Sequence, residues 1–218
     1  MGRGGGGSGP RRAPTPVLRA RTGFALTLAG GVVPNERFLG AMEHGYFPAV
    51  QFVRHPAVPL HTPEPDVLHD VFGHGIHLSS PRIAEPYRVI GRAANRVRTA
   101  EALDILSRVY WYTLEFGLAA ESGTPKALGA GLLSSYGEIG ERKGREVREL
   151  DIHAVASTQY RISSYQPVLF AARSFSHLED TIGAFCAEFD DETGQRLGLP
   201  RLPRDRGQRP CGESARAP

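Results

Sequence analysis

A predominantly α-helical α+β fold with a few short strands is what this sequence predicts, and three observations carry the prediction. Apolar residues recur at helical spacing through three stretches, 81–98, 99–118 and 176–189. Only short segments, residues 22–28, 47–53 and 160–166, alternate or run apolar in a way that suits strands. The 218 residues are 40% hydrophobic and 22% charged, which is enough chain and apolar content for one domain with a sizeable core.

Element by element, residues 1–20 are rich in Gly, Arg, Pro and Ser and are expected to form a disordered tail. The folded domain is expected over 21–190, with a second tail over 191–218 where Gly, Pro and Arg return. Asn35 is placed to cap a helix carrying Phe38, Leu39 and Met42, with Gly45 past its end. Arg54-His55-Pro56 closes the extended run before it, because the residue preceding proline avoids the helical region. Pro65 suits the first turn of a short helix ending near Gly73. Ser80-Pro81 opens the next helix, whose stripe is Ile83, Tyr87, Ile90 and Ala94 and which Pro86 should kink. Thr99 caps a helix with core stripe Leu103, Leu106, Tyr110 and Leu114. Gly129-Ala130-Gly131-Leu132-Leu133-Ser134-Ser135 looks too flexible for a helix start and suited to close backbone approach. It lacks the Gly-Lys-Ser/Thr ending of a phosphate cradle. Residues 138–150 are charged and predict a solvated helix or loop. Ser176 and Glu179 have capping-box spacing ahead of the last helix.

Composition narrows the function classes. Net charge is +3, a small excess of which much lies in the tails (Arg3, Arg11, Arg12, Arg19, Arg21; Arg201, Arg204, Arg206, Arg209, Arg216), so no nucleic-acid face is predicted. No apolar run reaches the roughly 18 residues of a membrane span, and no secretory signal is legible. Cys186 and Cys211 suggest no disulfide, which fits a reducing cytoplasm.

The chemistry concentrates in Thr62-Pro63-Glu64-Pro65-Asp66-Val67-Leu68-His69-Asp70-Val71-Phe72-Gly73-His74-Gly75-Ile76-His77. Three of the eight histidines lie here, with Asp66 and Asp70 among them. Imidazole and carboxylate together suit a borderline metal such as Fe, Zn, Mn or Ni. A short amphipathic helix with surface histidines is the simpler reading. His69 and His74 are five apart, which on a regular α-helix separates them by roughly 140°. Both reach one ion only if the helix bends or ends between them, and Gly73 sits where that has to happen. Glu115 is bracketed by Trp111 and Leu118 in a second apolar stripe, so its carboxylate is expected to be half-buried and to need a cation. Two histidines and a glutamate make the facial triad of non-haem iron oxygenases.

With the further blocks Tyr110-Trp111-Tyr112-Thr113-Leu114-Glu115-Phe116-Gly117-Leu118 and Gly129-Ala130-Gly131-Leu132-Leu133-Ser134-Ser135, the sequence over about 22–189 resembles the catalytic domain of the pterin-dependent aromatic amino acid hydroxylases, bacterial phenylalanine 4-monooxygenases above all. The resemblance implies Fe(II) held by His69, His74 and Glu115, with Asp66 orienting His69 and Glu138 supporting the ligand shell. It implies substrate contacts from Arg54, Thr62, Trp111, Gly131 and Ser134. It places the tetrahydropterin, tetrahydrobiopterin or a related pterin, against Phe38, Val33 and Pro48. The implied reaction takes phenylalanine to tyrosine with O2, one oxygen atom entering the ring and the other ending on the pterin. The rivals are a zinc hydrolase using His69 and His74 with His77 or His61, and an inactive iron-binding remnant. Bacterial members carry a helical segment ahead of the part resembling residues 22–24; its replacement here by Gly/Arg/Pro sequence predicts an exposed apolar patch between Phe24 and Val33 and a chain of marginal stability. Neither a regulatory domain nor a long coiled coil is legible, so a monomer is expected, with the amino acid and the pterin as its only partners.

Overall fold

The computed structural model describes residues 16–30, 33–57, 59–60, 65–140, 144–162 and 164–200. The chain enters through helix α1 (Pro16–Thr22), which buries Leu18. Gly23, at φ +74°, turns it into strand β1 (Ala25–Leu28). Helix α2 (Asn35–Glu43) crosses over, Gly45 turns at φ +73°, and β2 (Tyr46–Ala49) returns parallel to β1 with Ala25 opposite Tyr46. A methyl on Gly45 would stand 2.7 Å from the Gly23 carbonyl oxygen, so the two glycines let the strands start side by side.

Helices α5 (Pro81–Arg96), α6 (Ala100–Tyr110) and α10 (Phe175–Ala187) pack with α2 around one core, and the short helix α9 (Ile152–Ser157) lies against α6. Phe24, Leu39, Met42, Phe47, Tyr87, Ile90, Leu106 and Ile182 are fully buried in it. Each such side chain contributes roughly 1.5–3 kcal/mol by leaving water. A second layer is a four-stranded sheet in the order β4-β3-β6-β5. Strand β6 (Val168–Ala172) lies inside it, parallel to both β3 (Leu118–Glu121) and β5 (Glu146–Glu149), and is apolar as a covered parallel strand must be. Strands β3 and β4 (Thr124–Ala127) form a hairpin whose two turn residues, Ser122 and Gly123, both have positive φ.

Several expectations are corrected. Residues 16–20 are helical, because Leu18 finds the core. Phe24, the expected start of an exposed apolar patch, is instead buried under the Arg88 guanidinium and beside Tyr87, while Leu28 is exposed. Residues 191–200 are likewise folded: Asp191 accepts hydrogen bonds from the Arg98 and Thr99 backbone, and helix α11 (Thr193–Arg196) follows, its Gly194 against Ile105. Asn35 does not cap α2; its amide donates to Ser107 Oγ at 3.0 Å. Ser80 precedes α5 without a side-chain cap, and the helix runs on through Pro86, whose ring is buried. Thr99 does cap α6, accepting from Ala102 N. The last long helix is capped by Ser174, while Ser176 and Glu179 bind Arg82 instead. Residues 160–162 and 164–166 are not a strand; alternation there serves a loop in which Gln166 bridges to Arg161. The charged stretch after residue 138 supplies α8 (Tyr136–Gly140) and edge strand β5, whose charges sit in solvent as on many sheet edges.

Candidate metal centre

Two departures from α-helical winding build the centre. The first segment is α3 (Val67–His69), a π-helical turn (Asp70–Gly75) and α4 (Ile76–Leu78). In a π turn hydrogen bonds run between residues five apart, so such residues lie one turn apart on one face. The 140° mismatch between His69 and His74 thereby disappears without the helix ending. The second segment is α6 followed by a π turn (Trp111–Glu115), where Phe116 N–H donates to the Trp111 carbonyl at 2.7 Å. Here Tyr110 and Glu115, again five apart, meet: the Tyr110 hydroxyl donates to Glu115 Oε1 at 2.6 Å.

The two turns face each other across α7 (Ala130–Leu133), a helix that starts at Gly129 despite its glycine content. Glycine is needed at this contact. A Cβ on Gly73 would lie 2.6 Å from the Ala130 carbonyl oxygen, and one on Gly131 2.7 Å from the Phe116 ring. Gly73→Ala is expected to destabilise the protein by about 1–3 kcal/mol, as overpacking does, read as a lower urea midpoint. An unchanged midpoint would mean that the contact yields freely.

His74 Nε2 lies 2.9 Å from His69 Nε2 and 2.8 Å from Glu115 Oε1; Glu115 Oε2 is 3.6 Å from His69 Nε2. The donor atoms all fall within 4.8 Å of one another. His69 Nδ1 is 2.8 Å from Ser134 Oγ, whose proton goes to the Ala130 carbonyl at 2.7 Å. His69 Nδ1 therefore donates, and its Nε2 presents a lone pair. Burial pushes His69 down to about 4, which keeps the ring neutral. Burial works to raise Glu115, but the two imidazoles and the Tyr110 hydrogen bond outweigh it and hold the carboxyl at about 2. Two nitrogens and an ionised carboxylate thus converge in a buried site, a donor set that fits a divalent cation.

Around this cluster the other expected residues take different places. Asp66 makes no hydrogen bond to the His69 ring, whose Nδ1 faces Ser134. It caps α3, accepting His69 N–H at 3.1 Å, and forms a two-point pair with Arg54: Nε to Oδ2 at 2.9 Å and Nη2 to Oδ1 at 2.8 Å. The His69 ring is oriented by Ser134. Burial works to raise Asp66, and the Arg54 guanidinium with two backbone N–H groups holds it at about 2. Asp70 Oδ2 accepts from Val50 N–H at 2.7 Å, tying the end of β2 to the ligand segment; burial raises this carboxyl to about 6. Glu138 is buried with Arg145 at 2.6 Å and Gln166 N at 2.9 Å. Trp111 stacks on Tyr160 at 4.4 Å and leans on Phe116 at 4.8 Å. Thr62 and His61 lie outside the described residues. Phe38 packs edge-on to Phe47 and Tyr110. Phe47 in turn lies 4.3 Å from the His74 ring, so Phe38 stands one side chain from the triad, while Val33 and Pro48 are half-buried in the segments flanking it. His77 is no ligand: its ring nitrogens face Tyr87 and the Leu128 carbonyl. Sequence reasoning missed Tyr110 as a partner of Glu115, although its five-residue offset repeats that of His69 and His74.

No helix among the described residues is long and apolar enough to cross a membrane. A family model described as biopterin-dependent aromatic amino acid hydroxylase matches residues 14–195. Phenylalanine 3-hydroxylase of Streptomyces coeruleorubidus is 44% identical over 176 residues, 81% of this chain and 63% of that protein. Tyrosine 3-monooxygenase of Bos taurus is 38% identical over 78% of this chain and 35% of its own length, so the chain spans under two thirds of either relative. Among solved structures, Chromobacterium violaceum phenylalanine hydroxylase with bound iron(III) and 7,8-dihydrobiopterin superposes with a TM-score of 0.74 at 30% identity, covering 84% of this chain and 66% of that one. The apo phenylalanine hydroxylase of Colwellia psychrerythraea 34H gives 0.76 at 27% identity, covering 85% and 73%. With the match running from the first helix past the last long one, and with two histidines and a glutamate converging inside it, the chain belongs to the biopterin-dependent aromatic amino acid hydroxylase family.

Proposed function

We propose that this chain is the catalytic domain of an Fe(II)- and tetrahydropterin-dependent monooxygenase that hydroxylates the ring of an aromatic amino acid, with phenylalanine as substrate. The observation that carries the reading is the convergence of His69 Nε2, His74 Nε2 and a Glu115 oxygen within a chain of this family. Bound there, Fe(II) supplies open coordination positions for O2 chemistry shared with the pterin. The protein's own part is holding and orienting. Tyr110 keeps Glu115 Oε1 in a fixed direction, and Ser134 keeps the His69 lone pair turned inward. Arg54 already spends its Nε and an Nη2 N–H on Asp66 and an Nη1 N–H on the Pro59 carbonyl, so it offers a substrate carboxylate its two remaining N–H groups from a preset orientation. The Trp111 and Phe116 rings suit an aromatic side chain, and Phe38 suits a pterin face.

Two ring positions are open. The resemblance to bacterial phenylalanine 4-monooxygenases favours carbon 4, and 44% identity to a phenylalanine 3-hydroxylase favours carbon 3. Anaerobic loading with Fe(II), then phenylalanine, tetrahydropterin and O2, with chromatography of para- and meta-tyrosine, decides between them. Absence of any hydroxylated product from phenylalanine, tyrosine or tryptophan would sink the proposal. Phe38→Ala is expected to raise the KM for pterin by about threefold to tenfold, the worth of one aromatic stacking contact, with the KM for the amino acid nearly unchanged. Equal changes in both constants would take Phe38 out of the pterin site.

The zinc hydrolase reading loses His77 as its third ligand, since both His77 nitrogens are engaged elsewhere, and its other candidate, His61, lies outside the described residues.

A further inference from the structure

Tyr87 is fully buried, and its hydroxyl sits between two imidazoles, 3.0 Å from His74 Nδ1 and 2.8 Å from His77 Nδ1. The other nitrogen of His77, Nε2, lies 2.8 Å from the Leu128 carbonyl oxygen. A carbonyl only accepts, so His77 Nε2 carries a proton. A neutral imidazole has just one, which leaves His77 Nδ1 as an acceptor, and the Tyr87 hydroxyl donates to it. The Tyr87 oxygen then has only lone pairs for His74, so His74 Nδ1 is the donor. The nitrogen this chain keeps protonated is therefore Nδ1, on the side away from Glu115, and Nε2, 2.8 Å from Glu115 Oε1, is the nitrogen left for a cation.

The geometry points to Tyr87 and His77 as positioning residues for metal capture: a chain of ordered protons, anchored on the Leu128 carbonyl, that locks His74 in the tautomer whose Nε2 accepts a cation. Neither residue touches the ion; each acts through the next. The anchor is firm, because Leu128 N–H is itself held by the Gly117 carbonyl at 3.1 Å, just past the β3–β4 hairpin. Left alone, Tyr87 could turn its proton to His74 Nδ1 and drive the imidazole proton onto Nε2, where it would block the site. His77 prevents that by giving the Tyr87 proton a better place. The inference rests on the reading of His69, His74 and Glu115 as a metal site.

The test uses the metal-free chain with 15N-labelled histidine and a titration with Co(II), read by its visible absorption. In the unsubstituted protein, long-range 1H–15N spectra should show His74 protonated at Nδ1 and His77 at Nε2. His77→Leu should move the His74 proton to Nε2 and weaken Co(II) binding by about tenfold to a hundredfold, the usual range for losing a ligand's supporting hydrogen bond. His77→Gln, whose amide accepts from Tyr87 and donates to Leu128, should restore the Nδ1 tautomer. Tyr87→Phe keeps the ring packed and should weaken Co(II) at least tenfold with a cooperative melt retained; it keeps the test open if His77→Leu does not fold. An unaltered tautomer and affinity in His77→Leu, or an unaltered affinity in Tyr87→Phe, overturns the inference. Failure of the unsubstituted chain to bind Co(II) instead overturns the metal-site reading, which the tautomer spectra do not depend on.

Discussion

Exchanging Glu115 for glutamine is expected to weaken divalent metal binding by roughly a hundredfold to several thousandfold. The carboxylate is 6% exposed and is the only acid in the cluster of three possible ligands. Removing one member of a buried charge pair costs about 3–5 kcal/mol, and each 1.4 kcal/mol is tenfold in affinity. The metal-free variant should lose stability as well. In the native site the carboxylate lies 2.8–3.6 Å from the two imidazoles and accepts from the Tyr110 hydroxyl. These partners hold it at about 2, below the usual glutamate range near 4, so its ionised form stabilises the fold at neutral pH. The metal-free Glu115→Gln protein should therefore melt below the metal-free parent at pH 7. Metal content after dialysis, with thermal melts of both forms, checks this. Stoichiometric retention of metal by the variant would remove Glu115 from the ligand set.

Arg54→Leu should destabilise the fold by about 3–5 kcal/mol, because it strands the Asp66 carboxylate in a place with no solvent exposure. Asp66 also caps the first turn of the ligand segment, so its distress is delivered to His69. The pH dependence carries a sign. In the parent, Asp66 is held at about 2, below its usual range near 4, so its contribution is fully present above about pH 4 and fades as pH falls towards 2. Without the guanidinium, burial raises that carboxyl, and protonation relieves it. The stability gap between Arg54→Leu and the parent should thus narrow between pH 7 and pH 5. Urea unfolding at the two pH values measures it; a gap that stays constant or widens would show that Asp66 finds another partner. Arg54→Lys keeps a cation but loses the two-point geometry, and should fall between the two.

Much of this was legible in the residues. The helical stripes around Tyr87 and around Leu106 mark real core, and Glu115 between Trp111 and Leu118 reads as buried and is. The three ligands are recoverable from residue type and from the family's blocks. What escaped had physical reasons. The central stretch looks like an amphipathic helix, yet Val71, Phe72 and Ile76 face solvent while Asp70, Gly73, His74 and His77 face inward. Apolar residues mark the core only when polar groups have no stronger claim, and here hydrogen bonds and charge claim the interior. Caps were misplaced where a long-range partner outbid the local one, as Ser107 did for Asn35 and Arg82 for Glu179. Short-range patterns do not register a partner 72 or 97 residues away. The role given to Asp66 went to Ser134 for the same reason: the two are joined only in three dimensions.

The paired π turns make the centre sensitive to chain length in a way that substitutions do not reveal. Each turn holds one residue more than an α-helix would need to cover the same rise, and it is this extra residue that brings His69 over His74 and Tyr110 over Glu115. Deleting a single residue between His69 and His74 would let hydrogen bonding relax to the commoner pattern and place the two histidines four apart, the zinc-protease spacing, still on one face. The same deletion between Tyr110 and Glu115 would likewise leave that pair four apart and on one face. A one-codon change can therefore retune either half of the centre without replacing a ligand, so insertions and deletions, alongside point changes, are where relatives with altered metal chemistry should be sought.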